Sequence, residues 1–102
     1  MAFDYGRTNH RWRRLRAQVL REAGYRDQWA ARYGKRVQAT RVHHIWPAED
    51  FPQYAYERWN LIALSLESHM AMHKPGSGEL SAQGEALRRR TIPPALPRPE
   101  GP

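Results

Sequence analysis

The stretch from Val42 to His73, VHHIWPAEDFPQYAYERWNLIALSLESHMAMH, decides how this chain is read. It holds four of the protein's five histidines, spaced as the doublet His43-His44, fifteen residues, Asn60, eight residues, His69, three residues and His73. Imidazole binds divalent metals at neutral pH and is also the usual general base, so a site that needs both roles can be written with these residues alone. Upstream, Arg36 to Ile45 is rich in β-branched residues and alternates in part, which reads as one or two short strands ending at the doublet. Neighbouring strand residues point to opposite faces, which lets His43 and His44 serve different purposes. His69 and His73 stand at i and i+4 in Leu64 to Lys74, a segment without Pro or Gly that has Ser65 or Ser68 near its start as a cap. On a helix both rings project from one face and can converge on one ion.

The arrangement resembles the HNH endonucleases, whose site is a β-hairpin and a helix clamped around one metal, the ββα-metal motif. The resemblance runs from about Arg11 to His73. It implies an α+β fold, a small single domain whose ββα-metal core is flanked by an N-terminal and a C-terminal helix. It places His43, His69 and His73 as metal ligands, His44 as general base and Asn60 as the middle Asn, with H-H…N…H-x-x-x-H spacing as in the colicin-type branch. Trp12 to Leu20 followed by Ala23-Gly24-Tyr25, and Asn60 to Leu64, look like the corresponding stretches of small phage and bacterial HNH proteins. Those proteins usually carry two C-x-x-C pairs around a structural zinc, and this chain has no cysteine. The resemblance puts Asp27, Ala30, Ser65 and Ser68 at those positions, a poor zinc shell, so no structural zinc is expected and the fold must hold on packing.

A chain of 102 residues makes one domain, large enough to fold without a staple. It has no apolar run of the ~20 residues that span a bilayer, and Met1 to Tyr5 lacks the form of a signal peptide, so no membrane association and a cytoplasmic location are expected. The net charge of +7, with fifteen Arg against two Lys, points to a polyanionic partner, nucleic acid first.

In chain order, residues 1–9 read as a flexible arm. His10 to Ala23 reads as an amphipathic helix between an Asn9 cap and Gly24, with Trp12, Leu15, Val19, Leu20 and Ala23 on one face and the arginines largely elsewhere. Tyr25 to Tyr33 reads as irregular or a short helical turn, with Trp29 and Tyr33 as packing residues. Trp46 to Pro52 reads as a loop broken twice by proline; Asn60, before an apolar run, reads as a cap or turn residue, and the HNH resemblance implies that its side chain hydrogen-bonds backbone across the loop and fixes the strand that bears His44. A final helix is expected over Glu79 to Arg90, closing a nuclease domain that spans 10–90 with its core motif at 36–74. A Pro-rich disordered tail is expected over 91–102.

The chemistry implied is metal-assisted phosphodiester hydrolysis of DNA with little sequence specificity, with Arg41, Arg58, Lys74, Arg13 and Arg16 as candidates to grip phosphates. One divalent cation is expected, its identity open among Zn, Ni, Co, Mn and Mg, although an all-imidazole set disfavours Mg. Two other readings use the same residues: a non-catalytic nucleic-acid-binding or phage-packaging module, and a structural metal domain, which would need a fourth ligand from Glu49, Asp50 or His10. Beyond DNA, the resemblance offers a phage terminase or an immunity protein as partner.

Overall fold

The computed structural model describes residues 2–94; most of the stretch read as a Pro-rich tail therefore lies outside the described residues. Helix α1 (His10–Glu22) starts at Asn9, whose side chain accepts from the Trp12 amide, and buries Trp12, Val19 and Leu20. A single turn, α2 (Gln28–Ala31), follows. Strands β1 (Arg41–His44) and β2 (Leu61–Leu64) pair antiparallel, with His43 opposite Ile62 and His44 opposite Leu61. Helix α3 (Leu66–Ala71) is capped by Ser65, and α4 (Ala82–Arg90) by Ser81. Among the described residues no helix is long and apolar enough to cross a membrane.

A two-stranded hairpin is marginal in water unless something covers it, and here both faces are covered. Val42, Leu61 and Ala63 point to α1 and join Trp12, Val19, Leu20 and Ala39 in one apolar cluster. Ile45 and Leu64 point the other way and pack with Met72 and Leu87, with Ile62, Trp29 and Trp46 at the edge. The strict alternation on both strands is the two-residue period of the sheet. Gly84 lets α4 close onto this second cluster, since a Cβ there would collide with the Met72 carbonyl.

Three elements differ from the sequence reading. Regular strand is confined to Arg41–His44, because the preceding residues pair elsewhere: Asp27 N donates to Val37 O, Ala39 N donates to Tyr25 O, and Gln38 forms a lone bridge with Arg26. The helix expected to carry both His69 and His73 ends at Ala71, so His73 stands beyond it, in a bridge with Leu80 that also delays the start of α4 to Ala82. Tyr33 is 65% exposed and does not pack as expected, whereas Trp29 does.

The four positions expected to lack a staple in fact form one. Asp27 is fully buried; its Oδ1 accepts from the amides of Trp29 (2.9 Å) and Ala30 (2.8 Å), and its Oδ2 accepts from the Ser65 amide (2.9 Å) and hydroxyl (2.7 Å). Ser65 Oγ in turn accepts from the Ser68 amide. Burial pushes the Asp27 carboxyl up, and the hydrogen bonds from serine side chains and from the Ala30 and Ser65 backbone outweigh it, leaving it below the usual range. One carboxylate thus ties the entry of α2 to the joint between β2 and α3. Replacing Asp27 with Ala strands four donors, and is expected to cost roughly 3 kcal/mol of unfolding free energy in urea titration; a loss under about 1 kcal/mol, within the range of an ordinary surface change, would contradict this role.

Candidate active site

The hairpin's alternation separates the histidine doublet. His43 shares a face with Ile45 and looks toward α3, where it meets His69 on the helix and His73 just past it. The three rings form a near-equilateral triangle, with centroids 5.2, 5.2 and 5.3 Å apart. One nitrogen from each lies within 4.8 Å of the others. Among the described residues no further His, Cys, Asp or Glu joins this group. His43 Nε2 is buried and has no hydrogen-bond partner, a state that costs free energy unless something fills it. His73 Nδ1 is 3.2 Å from the Gly78 carbonyl, which fixes it as the N–H and leaves Nε2 free to ligate. The donor set fits a borderline divalent ion.

His44 faces the opposite way and stacks on Trp12 at 4.9 Å between centroids, with Phe3 edge-on at 5.1 Å. Its Nε2 lies 2.9 Å from the Ala55 carbonyl, and its Nδ1 lies 3.1 Å from the Tyr5 hydroxyl. A carbonyl only accepts, so Nε2 carries the hydrogen and Nδ1 the lone pair. Burial holds His44 below its ordinary value against the opposing effect of the Ala55 contact, which keeps the ring neutral. Asn60 is fully buried; its Oδ1 accepts from Trp46 N, and its Nδ2 donates to the carbonyls of Trp46 (3.0 Å) and Tyr54 (3.1 Å). It therefore clamps the loop whose far end presents Ala55 to His44.

Both faces of the doublet open into one groove of about 630 Å³. Arg13, Arg16 and Arg41 line it, together with Arg7, which the sequence reading missed. Arg58 and Lys74 are not brought to it. Arg58 is held by the Glu22 carboxylate (2.7 Å) and the Leu61 carbonyl, and Lys74 is paired with Glu79 at 3.2 Å. Glu49 and Asp50 line the groove without joining the imidazole triangle. Phe3 and Tyr5, in the stretch read as a flexible arm, pack on Trp12 and His44, and Tyr5 forms part of the wall. No local periodicity marks those residues, and only the two aromatics hint at packing.

The fold is similar to a crystal structure of an HNH endonuclease from the deep-sea thermophilic bacteriophage GVE2 with manganese ion, with a TM-score of 0.59 and 28% identity. The match covers 60% of this chain and 66% of that one, just under two thirds of the neighbour's length. No protein-family profile matches the chain, and no curated protein does. The chain has the α+β architecture and the histidine cluster of the HNH endonucleases, the family its sequence resembles.

Burial lowers His43 well below its ordinary value, with the neighbouring His69 and His73 adding to the effect, and lowers His69 to about 4, with His73 and Arg41 contributing. The unfolded chain, titrating near 6.5, therefore binds more protons than the folded one between pH 6.5 and about 4, so stability rises with pH across that window. The melting temperature of metal-free protein should fall as pH drops from 6.5 toward 4, and less steeply in His69→Asn. An unchanged slope in that variant would show that the imidazole cluster is not the cause.

Proposed function

We propose that the protein is a metal-dependent endonuclease that hydrolyses phosphodiester bonds in DNA with little sequence specificity. The observation that carries this reading is the triangle of His43, His69 and His73, with its orphaned buried Nε2, set beside a fourth, neutral imidazole in an arginine-walled groove. Three protein ligands leave coordination positions open, as catalytic sites do and closed structural sites do not. A divalent ion held there would supply Lewis-acid stabilisation of charge developing on the phosphate and the departing oxygen. The imidazole set favours Zn, Ni, Co or Mn over Mg.

The chain's own residues do the rest. His44 takes a proton from the attacking water at Nδ1, the atom that the Ala55 contact leaves with a lone pair. The surrounding burial keeps the ring unprotonated, and the stacked Trp12 holds its orientation. Asn60 is a positioning residue that acts through the loop it clamps and, by way of Tyr54, through the neighbouring Ala55 carbonyl. Arg7, Arg13, Arg16 and Arg41 grip backbone phosphates, which gives affinity that falls with salt and carries no sequence information. By the family resemblance the products carry 5′-phosphate and 3′-hydroxyl ends.

Metal-stripped protein with each divalent ion added back should nick plasmid DNA, and His44→Ala, folded by circular dichroism, should lose about 10²–10⁴-fold in rate. No nicking with any ion, alongside salt-sensitive DNA binding, would instead favour a non-catalytic module of the same fold. Chelation should lower the melting temperature by the linkage of one site, and ion added back should restore it. Outright unfolding in chelator would show that the Asp27 node does not hold the fold by itself.

A further inference from the structure

The residue before which the groove is built to work is already occupied. Tyr5 Oη sits 3.1 Å from His44 Nδ1, and since Nε2–H is spent on the Ala55 carbonyl, the phenol must be the donor to the Nδ1 lone pair. That lone pair is where water would give up its proton, and His44 is only 6% exposed, so the Tyr5 hydroxyl takes up the hydrogen-bonding capacity of Nδ1 while it stays in place. We propose that Tyr5 is a displaceable plug on the general base, carried on a strap of residues 4–8 that must lift for the reaction to proceed. The inference rests on the nuclease reading of His44.

The strap is made for such a movement. Residues 4–8 are exposed throughout; the stretch is held by Phe3, packed against Trp12, by Asn9, whose Nδ2 donates to Asp4 O and Tyr56 Oη and whose amide donates to Gly6 O, and by Arg13, whose Nη1 donates to Arg7 O at 3.4 Å. Within it, Tyr5 is 59% exposed, so swinging out breaks, besides the hydrogen bond to His44, only its ring contacts with Phe3, Trp12 and His44. Burial and the Glu49 carboxylate push the phenol above its ordinary value, so the hydroxyl stays a donor throughout the neutral range. Two residues on, Arg7 lines the same groove.

Tyr5→Phe keeps the ring that packs on Phe3 and Trp12 and removes the hydroxyl. Steady-state plasmid nicking should show kcat raised about 2- to 10-fold, the factor that one net hydrogen bond of ordinary strength corresponds to, with KM for DNA little changed. A kcat that is unchanged or lower overturns the proposal, the second outcome showing that the hydroxyl serves the reaction. In parallel, ¹⁵N spectra of the imidazoles in metal-free protein should show the His44 Nδ1 resonance moving on Tyr5→Phe; a resonance that stays put overturns the contact itself. If wild type fails to nick with every ion tried, the nuclease reading fails and, with it, the plug's function, while the spectra still decide whether Tyr5 masks His44.

Discussion

The hairpin that must bury both of its faces is the constraint on which the rest depends. Two short strands have no stability alone, so one face is covered by α1 and the other by α3 and α4. Because side chains alternate, consecutive residues of β1 and the one that follows it are delivered to different layers: Val42 and His44 to α1, His43 and then Ile45 to α3 and α4. Division of labour between the two histidines is therefore a property of the pleat. A one-residue slip of register would exchange their surroundings and bury the wrong ring against Trp12.

Precision at the site is then supplied by two polar clamps. Asn60 spends both ends of its amide on the loop between the strands, and that loop presents the Ala55 carbonyl which sets the His44 tautomer. Asp27 performs the corresponding task for the other layer, fastening α2 to Ser65, the cap of the helix that carries His69. Both residues are wholly buried, where an unmet hydrogen bond is costly and a satisfied network specifies one arrangement. In a chain without cysteine, a carboxylate and serines span the positions where the resemblance would place zinc ligands.

What was legible in the sequence was whatever is encoded locally. The alternation around His43-His44, the Asn9 cap and the apolar stripe of α1 each follow from a period or a neighbouring residue, and the three imidazoles of His43, His69 and His73 lie together. The exit of His73 from the helix has a local signal in Pro75, which cannot donate to the Ala71 carbonyl and disfavours helix at Lys74, whereas the bridge from His73 to Leu80 that replaces the next turn was not legible. Contacts between distant segments were equally hidden. Tyr5 meets His44 across 39 residues, Asp27 meets Ser65 across 38, and Glu22 captures Arg58 across 36. Arg58 and Lys74 show the same limit from the other side: their charge suggested phosphate contact, and acids unrecognisable as partners in the sequence hold them elsewhere.

The account stands on the three imidazoles acting together on one ion, and X-ray absorption at the zinc edge of protein loaded with one equivalent tests it most directly. It predicts three imidazole nitrogens at about 2.0–2.1 Å, completed by oxygen, and a drop to two imidazoles in His43→Ala. A spectrum with one imidazole or none, or one that His43→Ala leaves unchanged, would contradict it.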